Sequence, residues 1–124
     1  MSASRVPPAE LVAIARQLVA RTDAKTAGLW PRAAALLGRQ ALESALDDWW
    51  RAKGIPLEKC STHAQLLCLP TYLKDDGMAV QLRFAWHALS EACHHHPYEL
   101  PPSVGELDGW LTCVAGWMER AADA

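Results

Sequence analysis

Two stretches of this chain begin at proline and end just before glycine, and between those breakers apolar residues return every three or four positions. That period belongs to an amphipathic helix, whereas a strand needs alternation at every second residue, which is scarce here. Proline suits a helix start because the N–H it lacks would have no partner there. The first helix is expected over Pro8–Ala27, with Leu11, Ile14, Ala15, Leu18 and Val19 as its buried stripe and Gly28 as its stop. The second is expected over Pro31–Lys53, closed by Gly54, with Ala34, Leu37, Ala41, Leu42, Ala45, Leu46 and Trp49 facing the core. On its polar face Arg39–Glu43 and Asp47–Arg51 are spaced to pair, each contributing a few tenths of a kcal/mol.

After an Ile55-Pro56 connector, Thr62 and Gln65 fit a capping box that opens a short helix to Leu69, which Pro70 is expected to stop. A fourth helix is predicted over Asp76–Cys93, with Asp75 or Asp76 at its positive end. It has two apolar edges, one of Val80, Phe84, Ala88 and Ala92 and one of Leu82, Trp86 and Leu89, which marks it as the central helix. Ser103 and Glu106 form a second capping box that opens a fifth helix over Val104–Ala122. Its seam is Leu107, Trp110, Leu111, Val114, Trp117 and Met118. Short connectors favour antiparallel neighbours, so the expected fold is all-α: an up-and-down four-helix bundle with one additional short helix. One domain is expected to fill 1–124, with residues 1–7 as a tail.

The net charge of −2 argues against a surface that is basic all over. Yet residues 1–42 carry Arg5, Arg16, Arg21, Lys25, Arg32 and Arg39 against only Glu10 and Asp23, while the acids gather in the remainder. A basic patch on the first two helices would attract a phosphate backbone; the plainer reading is mutual attraction of the two halves, within the fold or across a dimer. Cys60, Cys68, Cys93 and Cys113 form no Cys-x-x-Cys pair and read as buried thiols of a reducing compartment. With no apolar signal core near Met1 and no run of ~20 apolar residues, the expected location is the cytoplasm, away from membranes.

Residue types that carry chemistry are densest in Cys93-His94-His95-His96-Pro97-Tyr98-Glu99-Leu100-Pro101-Pro102. Zinc needs a tetrahedral shell, and successive helical residues diverge by about 100°, so at most two of these reach one ion. The others would have to be His63, His87 or Glu99; adventitious zinc or nickel fits better than a functional metal, and no cofactor is expected. Arg83, His87, Ser90 and His94, spaced by four, three and four, fall on one stripe of the fourth helix. Such a stripe either lines a cleft, where Arg holds a phosphate and His moves a proton, or makes structural contacts, with Arg83 paired to an acid on a neighbouring helix. Tyr98 to Pro102 reads as a rigid clasp or as a pocket wall, with Glu99 accepting from a nearby His or Arg. Phosphate loops, dinucleotide fingerprints and the nucleophile elbow are absent from the sequence.

The run Leu36-Leu37-Gly38-Arg39-Gln40-Ala41-Leu42-Glu43 resembles the helix opening of HEPN domains. The segment Cys93–Pro102, followed by Glu106-Leu107, looks like a small bacterial branch of that superfamily. The resemblance covers about Ala9 to Trp117 and implies a helical bundle, often homodimeric. It also implies a link to nucleotides or RNA, in some members as metal-independent ribonucleases of toxin–antitoxin or defence systems. Their signature is an Arg, four to six residues, then a His. Here Arg83 and His87 enclose three residues, and Arg83 and His94 enclose ten, so catalysis does not carry over by motif. The expected function is therefore a nucleotide- or RNA-associated binding module, with a polar cleft around Arg83, His87, His94 and His96 and further binding contacts from Arg39, Tyr98 and Glu99. A divergent ribonuclease using His87 or His94 with Arg83, and a non-catalytic scaffold, are the alternatives.

Overall fold

A computed structural model of the protein describes residues 5–20, 30–94 and 102–122. Five helices hold most of them: α1 (Pro8–Ala20), α2 (Trp30–Lys53), α3 (Thr62–Leu73), α4 (Asp76–Cys93) and α5 (Val104–Ala122); no strand occurs among the described residues. The all-α expectation is met.

Contacts between helix ends give the directions. The start of α1 reaches the end of α2 through Arg5–Asp48, so the two run antiparallel. The start of α2 reaches the end of α4, where Arg32 Nε donates to the Cys93 carbonyl at 2.7 Å. The end of α5 reaches the start of α4 through Arg120–Asp75. The four long helices thus alternate up and down, with α3 laid against α4 and the lower part of α2. The helix that meets all the others is α2, not α4. Its approach is close at Gly38, where a Cβ would fall 2.7 Å from Leu111 Cδ2 and 3.4 Å from Leu89 Cδ2. A side chain at that level would displace the end of the Leu111 side chain, so glycine keeps α4 and α5 close to α2 there.

Leu42, Leu46, Trp50, Leu66, Leu82, Leu89, Leu107, Leu111 and Trp117 form the fully buried centre. Trp49 joins it, packed edge-on against both Trp50 and Trp117. Burying such rings removes about 150–250 Å² of each from water, a large share of the driving force in a chain of this length.

Several expectations need correction. On α1 the buried residues are Val12, Ala15 and Val19, while Ile14 is 38% exposed, so the stripe is rotated from the one read off the sequence. The expected extension of α1 to Ala27 lies outside the described residues. Helix α3 does not stop at Pro70 but continues through it to Leu73, ending at Lys74 with φ 59°. An interior proline costs about 3 kcal/mol through its missing hydrogen bond and its clash with the preceding turn. Here the turn beyond it is held by Leu73 against the core and by Tyr72, edge-on to Trp50 at 5.4 Å. The cap of α3 is Ser61, whose Oγ accepts from Ala64 N at 3.2 Å. Thr62 and Gln65 are not a capping box, because both side chains are drawn to α2: Thr62 Oγ1 donates to Glu43, and Gln65 bridges Trp50, Asp47 and Cys60. Arg51 pairs with Asp48 rather than Asp47. On α4, Val80 and Phe84 are 54% and 67% exposed, so the first half of that expected edge faces outward, while Ala92 at its end is buried. Cys60 is exposed rather than buried. The Ser103–Glu106 box closes as expected: Ser103 N donates to Glu106 Oε1 at 3.0 Å, and Glu106 N donates to Ser103 Oγ at 3.1 Å.

Candidate functional site

Helix α4 buries Leu82, Ala85, Leu89, Ala92 and Cys93 on one side, which leaves the opposite side to the polar residues between them. Arg83, His87, Ser90 and His94 follow one another along a stripe at its margin, on the side of α3. His87 and His94 are exposed, and Arg83 and Ser90 are half-buried. His94 is the C-cap, its N–H donating to Glu91 O. Among the described residues none hydrogen-bonds or ion-pairs with Arg83, so the acid partner that a purely structural role would require is not found among them. The Ser90 hydroxyl is buried with no partner among them either.

Three helices meet beside this stripe. From α3, the His63 ring lies 5.6 Å from His87 and 6.3 Å from Trp86, centroid to centroid. Trp86 and His87 are adjacent in sequence and their rings sit 5.1 Å apart. From α2, the Arg39 guanidinium lies over the Trp86 ring at 5.8 Å, a cation–π arrangement. Arg39 Nε also donates to Glu43 Oε2 at 3.2 Å, and the same oxygen accepts from Thr62 Oγ1 and Trp86 Nε1. Glu43 is thus a hub that ties α2, α3 and α4 together and offsets the charge of Arg39. Arg32 closes the far end against the last carbonyls of α4, a favourable place for a cation. Burial pushes the Cys93 thiol above its usual range, opposed by Arg39, which hydrogen-bonds it, and by Arg32. Cys93 is buried and packs in the core.

Arg83, His87 and His94 follow one another on the stripe, while Arg39 is paired with Glu43 beside Trp86 and Arg32 meets the end of α4. Guanidinium and imidazole N–H groups are donors suited to phosphate oxygens, and Trp86 with His63 and His87 supplies flat ring surface beside them.

Of the residues singled out in the sequence, Arg83, His87 and His94 share the stripe, and Arg39 stands across from it on Trp86. His96, Tyr98 and Glu99 lie outside the described residues. His63 entered the sequence reading only as a remote metal partner, but it contacts His87. Among the described residues no three His, Cys, Asp or Glu side chains are grouped to hold an ion. Trp86, read as apolar, is the aromatic hub of the polar face; its spacing in α4 gave no sign of that, since Arg39 and His63 reach it from other helices.

No family model matches the chain, and neither a curated protein nor a solved structure does. No described helix is long and apolar enough to cross a membrane.

Proposed function

We propose that the chain is an HEPN-like, cytoplasmic binding module for a nucleotide or RNA, taking its anionic ligand where α2, α3 and α4 meet. The observation that carries this reading is Arg83, half-buried on the α4 stripe beside exposed His87 and His94, with no acid to neutralise it among the described residues. A guanidinium with no carboxylate partner is open to an anion, and a phosphate satisfies its planar fork bidentately. Trp86 and His87 offer stacking surface for a base next to that phosphate. Fluorescence anisotropy with a labelled single-stranded RNA and with a labelled adenine nucleotide tests it. Arg83→Ala and His87→Ala should each lower affinity at least fivefold and leave the melting temperature within a few degrees, and affinity should fall as salt rises. Unchanged binding in both variants, or no binding to either probe, rejects the reading.

A second reading, a divergent metal-independent ribonuclease, is favoured by one observation: the His63–His87 pair offers one imidazole to take a proton and another to give one. Arg83 would then stabilise charge on the phosphorane. Cleavage of the RNA, abolished in His87→Ala, selects this reading over simple binding.

The proposal includes a homodimer. Phe84 and Val80 protrude from α4 beside an apolar groove of about 430 Å³ lined by Gly109, Trp110 and Cys113 of α5. Knob and groove occupy the same patch, so a two-fold axis lets each copy fill the other's groove. Place in a toxin–antitoxin or defence system belongs to the same proposal and would appear as a growth defect on expression.

A further inference from the structure

One imidazole reaches the polar face of α4 from another helix. His63 lies in the first turn of α3, next to the Ser61 cap. Its ring stands edge-on to His87, 5.6 Å between centroids and 68° between planes, with Trp86 beside both. Both imidazoles are exposed, and among the described residues neither is in an ion pair. The outer torsion of histidine is broad, so exposed rings turn towards an acceptor at little cost. Imidazole is also the side chain that changes charge between about pH 5 and 8. The other charged groups near the pair are few. Helix α2 brings Arg39 and Glu43, already paired with each other at 3.2 Å. Helix α3 has no other charged side chain, and the connector ahead of it brings Glu58 and Lys59, of opposite sign. Helix α4 brings Arg83 one turn before His87, Glu91 one turn after it and His94 two turns after it. Two imidazolium ions in contact repel each other and the Arg83 guanidinium, whereas an anion seated between them favours the charged form of both. The amino end of α3 acts in the same direction, since it attracts anions and repels cations.

We propose that His63 and His87 are a protonatable pair that couples binding of the anionic ligand to proton uptake, so that the site tightens its hold as pH falls. This coupling rests on the α4 face receiving an anion, and it makes His63 a further binding residue. Hydroxyl-ended oligouridine is the probe, because neither its diesters nor its bases change charge between about pH 5.5 and 8, the range in which imidazole does. Fluorescence anisotropy across that range should show affinity rising about tenfold from the alkaline to the acid end. Calorimetry in two buffers of different ionisation heat should count about one to two protons taken up per strand bound. His63→Asn and His87→Asn keep a polar side chain that cannot take the proton, and each should cut the rise to about threefold or less. Arg83→Ala should weaken binding at every pH and leave the slope, and His94→Asn should leave the slope too. Affinity that is flat with pH overturns the proton coupling and leaves the anion site standing, whereas a strand that binds at no pH sinks both. A full rise in His63→Asn or in His87→Asn places the proton elsewhere and overturns the pair.

Discussion

Gln65→Met should be among the most damaging single changes outside the apolar core. Gln65 is 2% exposed, and its amide makes three bonds: Oε1 accepts from Trp50 Nε1 at 3.1 Å, and Nε2 donates to Asp47 Oδ1 at 3.2 Å and to the Cys60 carbonyl at 3.0 Å. Methionine keeps the volume and removes all three. The Trp50 N–H, in a fully buried ring, is then left without an acceptor, at about 1–3 kcal/mol. Each Nε2 bond contributes about 0.5–1.5 kcal/mol, with Asp47 at the low end because water reaches it. The expected loss is therefore about 2–5 kcal/mol. For a domain of this length the unfolding entropy is roughly 0.26 kcal/mol/K, so the melting temperature should fall by roughly 8–19 °C. Differential scanning calorimetry reads the shift, and a cycle with Trp50→Phe should return a coupling of about 1–2 kcal/mol, since the two changes remove one shared bond. A fall below about 3 °C, or zero coupling, refutes the reasoning. The consequence for function is that α3, and His63 with it, is held to α2 by this amide.

Three further outcomes follow from the same geometry. Ser61→Ala removes the α3 cap and should cost about 1 kcal/mol, seen as a lower urea midpoint at unchanged slope. Burial raises the Cys93 and Cys113 thiols above the ordinary range, so the folded chain keeps protons that the unfolded chain releases. That stabilising contribution is fully present below about pH 8.5 and is lost as pH climbs towards the raised values; urea midpoints across that window should fall, and fall less in Cys93→Ala/Cys113→Ala. Phe84→Asp should leave the melting temperature within about 2 °C, because the ring is 67% exposed, and on the proposed two-fold pairing should give a monomer by light scattering while the parent scatters as a dimer; a parent that scatters as a monomer refutes the pairing.

Where chemistry is local, the sequence was a good guide. The Ser103–Glu106 box, the Asp75 cap with its side chain on Met78 N, and both limits of α4 and of α5 are set by neighbours within a turn. Errors came where a distant element decided. Pro70 reads as a stop until Tyr72 finds Trp50, and Thr62 with Gln65 reads as a capping box until α2 claims both side chains. Val80 and Phe84 have core-like spacing, but which flank of α4 is covered depends on where α3 and α5 dock. The same holds for the candidate site. The stripe of Arg83, His87, Ser90 and His94 follows from helical periodicity alone, whereas Arg39 over Trp86 and His63 beside His87 join residues 47 and 24 positions apart. No local pattern encodes such pairs.

Histidine ring resonances during titration with a short single-stranded RNA test most directly whether the α4 face receives an anion. His63 and His87 should move together and saturate with the affinity measured by anisotropy, while the indole N–H signals of Trp49 and Trp117 at the far end stay still. If the imidazoles remain unmoved while the RNA binds, or move no differently in Arg83→Ala, the ligand site lies elsewhere and the central claim fails.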